Sequence, residues 1–442
     1  MISEKDIMNM RRAMEYALRC GASACRLTFN ETTSDMVGTL NGEVDKVSRC
    51  LDRSVAVNLF VDGKYGAFST NRPEELEPFL ERAIGMTRLL ARDPFRMLPA
   101  RERVCRNAQD GDELALYDAA YSRLTPSDRI AAALGACVWG RDTRGFTLVS
   151  EEGEYSDSET DSVVIDSDGT FCRQKETSFE YGVEITVEDP SGEKFSAYWW
   201  TASPTLDGFS TAGIGEQALR RAESRIGSCR AEGGRYNMVA TPEAASRLLS
   251  PVLDALNGFS IQQGNSFLCD SLGRKLFSEG FTLMDDCHRK GESGSRLFDS
   301  EGVATTPSCI IGGGVVKQYF LGTYIAGKLG MEPTVDECSR ARVCPWPEEG
   351  LDRDAIMKTL GSGILVEDFN GGNSNSATGD FSYGVEGFLF ENGVIVKPVS
   401  GMLVTGNFKD LFASVLAAGS DVRKCMSRLV PTMAFGNVEF IG

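Results

Sequence analysis

The stretch from Val366 to Val422 constrains the fold more than any other, because three incompatible local geometries follow one another in it. Asn370 to Asp380 is polar and rich in Gly and Asn. Such a run cannot bury itself, but it reaches positive φ and presents free backbone N–H groups, so it reads as a loop. Gly387–Glu391 and Val394–Val399 then flank Asn392-Gly393. A type I′ hairpin turn favours that dipeptide because both central residues need φ > 0. Asn407 follows as a helix N-cap. Phe408, Leu411, Phe412, Val415 and Leu416 fall at i, i+3, i+4, i+7 and i+8, and Gly419 supplies the stop.

The chain has 442 residues, more than one ordinary core accommodates, so two domains are expected. The polar run Cys229–Gly234 marks the boundary, giving units 1–229 and 230–442. In the first unit, Ser3 and Asp6 make a capping box. Ile7, Met10, Met14, Ala17 and Leu18 then share one helix face up to Gly21. Strands follow at Ala24–Asn30, Met36–Leu40 and Ser54–Val61. Asp62-Gly63 returns the chain into Tyr65–Thr70, and Pro73 opens a helix to about Leu90. Asp93–Asp112 has no period and reads as a long connection. A helix from Pro126 to about Trp139 precedes alternating strands between Gly145 and Ser203. These are punctuated at Asp168-Gly169 and Pro190–Gly192, as in an antiparallel meander, and Ile214–Ile226 returns to helix.

In the second unit Tyr236–Ala240 is a strand, Thr241 a cap and Pro242 the first residue of a helix to about Leu256. Ala245, Leu248, Leu249, Val252, Leu253 and Leu256 form a core-facing stripe on it. Strands and loops dominate thereafter, with a helix near Gly322–Gly330 and a surface loop at Glu337–Leu351. These patterns give an α+β fold: N-terminal helices on a mixed sheet, then a mostly antiparallel β domain.

The balance of 63 acidic and 46 basic side chains, a net charge of −17, opposes phosphate backbones, and no basic cluster is interleaved with aromatics. Direct nucleic-acid binding is therefore not expected. No apolar run reaches the ~18 residues of a membrane span, and the acidic start MISEKD lacks a basic n-region. The expected location is the cytoplasm. The 13 cysteines contain no Cys-x-x-Cys pair and read as small buried hydrophobes.

The string ATGDFSYGVEGFLFENGVIVKPVS followed by GNFKDLFASVLAAGSD resembles the C-terminal signature of the TldD/PmbA family, also called modulators of DNA gyrase. VDGKYGAFSTN, LCDSLGRKL and FDSEGVAT agree with it in order, so the resemblance spans nearly the whole chain. It implies a barrel-like C-terminal sheet holding the 242–256 helix. It also implies a place in a two-subunit cytoplasmic zinc metalloprotease acting on peptides and small or unfolded proteins. In that family the TldD-type subunit carries a HExxxH helix and the TldE/PmbA-type subunit does not.

A zinc peptidase needs neutral nitrogen or thiolate ligands and a carboxylate base. Aligned on the flanking sequence, the motif positions here are Ser250, Pro251 and Ala255, none of which ligates zinc or takes a proton. The resemblance is therefore to the TldE/PmbA subunit, with no catalytic residue and no metal in this chain. Zinc is expected on a HExxxH paralogue forming a heterodimer with it; a homodimer is the other assembly. The single histidine, His288, stands beside Asp285, Asp286 and Cys287, but neighbours on a strand face opposite ways. Cys425 has no partner histidines and reads as structural. Gly322–Lys328 matches only the first part of a P-loop, and Gly312–Gly314 reads as a hairpin turn. In the glycine-rich loop, Asn373, Asn375, Asp380 and Tyr383 are candidate peptide contacts on a groove rim. Two rival readings remain: an independent hydrolase centred on Asp285, Asp286 and His288, or a non-enzymatic homodimeric interaction protein.

Overall fold

The computed structural model describes residues 1–143, 145–347 and 350–442. The first half builds one sheet. Helix α1 (Glu4–Arg19) leads into β1 (Ala24–Leu40), β2 (Glu43–Val61) and β3 (Lys64–Thr70). Helices α2 (Leu76–Thr87) and α3 (Pro126–Gly135) follow, then β4 (Thr147–Asp166), β5 (Phe171–Glu188), β6 (Lys194–Ser203) and α4 (Ile214–Ser224). The strand order is β3-β2-β1-β4-β5-β6. Every pairing is antiparallel, so this sheet is not the mixed one its sequence suggested. The α+β class stands.

The N-terminal capping box forms: the Asp6 N–H donates to Ser3 Oγ at 3.2 Å, and the Ser3 N–H to Asp6 Oδ2 at 3.0 Å. Helix α2 ends at Thr87 rather than Leu90, and Leu89 beyond it is 86% exposed. Helix α3 likewise stops at Gly135, short of Trp139.

Residues 24–40 form one continuous strand where two were expected. The middle of β1 carries Glu31, Thr33 and Asp35 on the helix-covered face, each buried and none apolar. Ion pairing permits this. Arg53 Nε lies 2.9 Å from Glu31, and Arg129 reaches both Asp35 (3.2 Å) and Asp157 (2.8 Å). Arg173 likewise holds the fully buried Asp161 at 2.7 Å. This charged belt separates two apolar clusters on one sheet face. Leu27, Phe29, Val163 and Ile165 pack with α1 and α2. Val37, Tyr155, Tyr181 and Val183 pack with residues of α3 and α4.

The second half comprises β7 (Gly234–Ala240), α5 (Pro242–Ala255), α6 (Gly258–Gln262), β8 (Leu283–Asp285), β9 (Ser308–Gly312), β10 (Val315–Val316), α7 (Thr323–Leu329), β11 (Ala341–Val343) and α8 (Arg353–Leu360). It ends with β12 (Gly363–Ser374), β13 (Asp380–Glu391), β14 (Val394–Asn407), α9 (Phe408–Ala413), β15 (Val415–Ala418) and β16 (Met433–Ile441). Strands β14-β13-β12-β7-β16 follow in order, and β16 pairs back onto β14 (Leu403↔Ile441). The sheet is thus a closed five-stranded barrel that leaves no free edge between those strands, with β15 appended to β16. Within this barrel β7 and β12 pair in parallel, and the other strand pairs are antiparallel.

Asn392 and Gly393 take φ of 53° and 74°, as the type I′ turn requires. Three expectations fail locally. The helix after Asn407 stops at Ala413, and Val415 is captured as a strand against Phe435. The stretch 370–380 is mostly strand, with Ser374 paired to Phe381 and only the tip free. The expected surface loop at 337–351 contains the buried β11 and the buried Arg340, while Glu348 and Glu349 lie outside the described residues.

Candidate functional site

Helix α5 follows directly from its sequence. Thr241 enters in extended conformation, Pro242 takes the first helical position, and Glu243 sits where the helix dipole favours a carboxylate. Ala244, Ala245, Leu248, Leu249, Val252 and Ala255 are fully buried in the largest core cluster, which also contains Met238, Ile364 and Val385 of the barrel strands.

Ser250, Pro251 and Ala255, the positions that the family resemblance assigns to the metal motif, all lie on this helix. Ser250 Oγ donates to the Ser246 carbonyl at 3.3 Å and accepts from the Arg428 guanidinium. Pro251 lies inside the helix and has no N–H for the Arg247 carbonyl. Ala255 offers a fully buried methyl group. A metal needs lone pairs converging on a point; here one hydroxyl already holds a cation, and the other two positions have no donor atom. These residues do not fit a zinc ion. Among the described residues, no three His, Cys, Asp or Glu side chains converge in a metal-holding cluster.

The Asp285–His288 stretch does not converge either. Asp285 accepts the Ser339 and Arg340 N–H groups at 3.0 and 2.9 Å, and burial pushes its carboxyl up. Asp286 pairs with Arg289 at 2.8 Å and Arg342 at 3.3 Å. His288 Nε2 lies 2.9 Å from Thr305 Oγ1, and Cys287 is fully buried, its thiol pushed up to about 11 by burial. Each group is engaged structurally. Cys425 lies in the wall of a trough on the N-terminal sheet, with Ser427.

The expected peptide contacts sit on the β12–β13 arm. Asn375 is its turn residue: Oδ1 accepts the Ala377 N–H at 2.9 Å, and its N–H donates to the Asp380 carbonyl at 2.8 Å. Asp380 accepts from Thr378 Oγ1 (2.7 Å) and Asn407 Nδ2 (2.9 Å), and these bonds hold its carboxyl below the usual range. Tyr383 packs on Phe369 and Phe381 at ring separations of 5.3 and 5.5 Å. Asn373 is exposed in the strand-paired stem, its backbone opposite Ser382. Of the four, Asp380 alone lines the adjoining cleft of about 630 Å³, with Asn407, Asp410 and Arg235.

Sequence reasoning missed the residues that anchor the first turn of α5. The Arg423 guanidinium lies 3.8 Å from the Trp199 ring and 4.1 Å from the Trp200 ring, and 2.7 Å from Glu243. Arg221 of α4 sits over Trp199 at 4.7 Å and faces Glu367 at 3.2 Å. Together they line a pocket of about 380 Å³ at the start of α5. The available signal was the basic run VRKCMSR, which holds both Arg423 and Arg428.

Comparison with known proteins accounts for this architecture. Profiles of the PmbA/TldA metallopeptidases match in succession: domain 1 over residues 25–87, the central domain over 113–226 and the C-terminal domain over 233–442. A crystal structure from Bacteroides thetaiotaomicron, described as a proposed modulator of DNA gyrase, is 37% identical with a TM-score of 0.94, and all of both chains is covered. The fold and its helix therefore define a metallopeptidase-type α+β scaffold. The chain belongs to the PmbA/TldD metallopeptidase family. It is 26% identical to the metalloprotease PmbA of Escherichia coli O157:H7, over 98% of this chain and 96% of that protein. TldE from Thermococcus kodakarensis shares the fold at 19% identity and a TM-score of 0.84, with 98% of this chain and 100% of that one covered.

Proposed function

We propose that this chain is the non-catalytic, TldE/PmbA-type subunit of a cytoplasmic zinc metalloprotease. A HExxxH paralogue would supply the metal and the general base, and peptides or small unfolded proteins would be the substrates. One observation carries the reading: the metal-motif positions of α5 hold Ser250 bonded to the Arg428 guanidinium, a helix-interior Pro251 and a buried Ala255. The rest of the family scaffold surrounds them, closed barrel included. The division into units 1–229 and 230–442 belongs to the same proposal.

Two further observations favour a partner. Val394, Ile395 and Val396 at the end of the β13–β14 hairpin are 65, 41 and 54% exposed, a β-branched patch suited to burial against another subunit. Asn373 is open on the arm stem, so this arm can rim a peptide site completed by that subunit. Among the described residues no helix is long and apolar enough to cross a membrane.

The test is to purify the chain alone and after co-expression with a HExxxH paralogue from the same genome. The chain alone should hold no stoichiometric zinc and cleave no peptide; the complex should hold zinc and cleave, and a chelator should stop cleavage. Tight zinc and chelator-sensitive cleavage in the lone chain would end this reading. Failure to co-purify the paralogue, with a stable homodimer instead, would favour the interaction-protein alternative.

A further inference from the structure

One face of the N-terminal sheet carries the helices; the opposite face is lined by short polar side chains. Asn30 projects there from β1, Thr160 and Ser162 from β4, and Glu176, Ser178 and Glu180 from β5. The alternation is the ordinary period-2 consequence of a strand, with Phe179, Tyr181 and Val183 turned the other way into the core. The second half of the chain stands over this polar face. Residues 293–300 form one wall and Cys425 and Ser427 another, leaving two adjoining cavities of 300 and 230 Å³. Both include Thr160 and Glu176, so they form one trough.

The trough has a direction and a sign. Gln174, Glu176, Ser178 and Glu180 line it in succession, so it follows β5 for roughly 20 Å, the length of about six extended residues. Its exposed carboxylates are Glu176 and Glu180; Asp299 at its end is buried, with both oxygens accepting backbone N–H groups, and Arg296, the cation among the lining residues, is held 2.6 Å from Glu337. The hydroxyls of Thr160 and Ser162 already face Thr32 Oγ1 and Asn30 Oδ1 at 3.1 and 2.6 Å, so the floor is pre-ordered. The floor strands bond to one another along their length, which leaves side chains rather than a strand edge to hold an occupant.

We propose that this trough binds an extended, positively charged peptide segment. Lysine or arginine side chains would meet Glu176 and Glu180, and the hydroxyl floor would accept main-chain and polar groups without strong sequence preference. The proposal deepens the peptidase-subunit reading by naming a substrate class, yet the binding it requires belongs to this chain alone.

The experiment is fluorescence anisotropy on the purified chain with a labelled octapeptide carrying four Lys among Gly and Ser, against the same peptide with four Glu. The Lys peptide should bind saturably and weaken several-fold between low and physiological salt, as exposed charge pairs do. Glu176→Gln with Glu180→Gln, both on exposed side chains, should weaken it at least fivefold with an unchanged circular dichroism spectrum. Equal binding of the Glu peptide, unchanged binding by the double variant, or no saturation by 1 mM peptide (about −4 kcal/mol) would overturn the proposal. So would a dimer of this chain that the same variant dissociates, since the trough would then belong to a second copy. Retained peptide binding without partner-dependent cleavage would overturn only the subunit reading.

Discussion

Arg423→Ala should uncouple the first turn of α5 from the N-terminal sheet. The side chain and its partner Glu243 are both mostly buried, at 15 and 13% side-chain exposure. Truncation removes two cation–π contacts, at 3.8 and 4.1 Å, each worth about 0.5–2 kcal/mol. It also removes a charge-assisted hydrogen bond of about 1.5–3 kcal/mol and leaves Glu243 unpaired at 2.7 Å from an empty position. Allowing for non-additivity among shared contacts, the loss is about 3–4 kcal/mol. That is a large share of the ~5–15 kcal/mol that stabilises a typical protein. Urea unfolding followed by tryptophan fluorescence suits the question, because two of the four tryptophans flank this arginine. With a denaturant dependence of about 3 kcal/mol/M, the midpoint should fall by about 1 M. Arg423→Lys keeps the charge but loses the planar stacking, and should recover about half the loss. A midpoint for Arg423→Ala within 0.2 M of the parent would refute the view that this arginine joins the two halves.

Three other perturbations have signs set by the geometry. Arg129→Met strands Asp157 and Asp35 in the belt of the N-terminal sheet and should cost about 3–5 kcal/mol in the same denaturation assay. Asp299 is pushed up to about 7 by burial and by the Asp336 and Glu301 carboxylates, against an ordinary value of 3.8. Its folded value exceeds its unfolded one, so the stability it contributes is fully present below the unfolded value and is lost as pH rises through 7. In Asp299→Asn, stability measured from pH 4 to 8 should fall less steeply than in the parent. Gly387→Ala would place a Cβ 1.9 Å from the Leu365 carbonyl oxygen, so it should open the β12–β13 pairing and lower the unfolding free energy by about 2 kcal/mol or more in the same denaturation assay, roughly the scale of core overpacking.

Local chemistry made several features of this protein legible in its sequence. The Asn392-Gly393 turn, the capping box at Ser3 and the buried stripe of α5 depend on neighbours a few residues away, and each formed as expected. That Ser250, Pro251 and Ala255 carry no imidazole or carboxylate is likewise plain from the sequence, because it concerns what side chains are rather than where they lie. Tertiary structure alone decided the rest. Apolar periodicity could not extend β1 through Glu31, Thr33 and Asp35, since the Arg53 and Arg129 that permit their burial come from distant segments. It continued α9 through Val415, because it does not include the competing ladder to Phe435. Barrel closure between β14 and β16, the arrival of Arg428 at Ser250 and the trough under residues 293–300 all join positions far apart in the chain. Only the packed chain sets such contacts, because their free energy depends on closing long loops together rather than on any one segment.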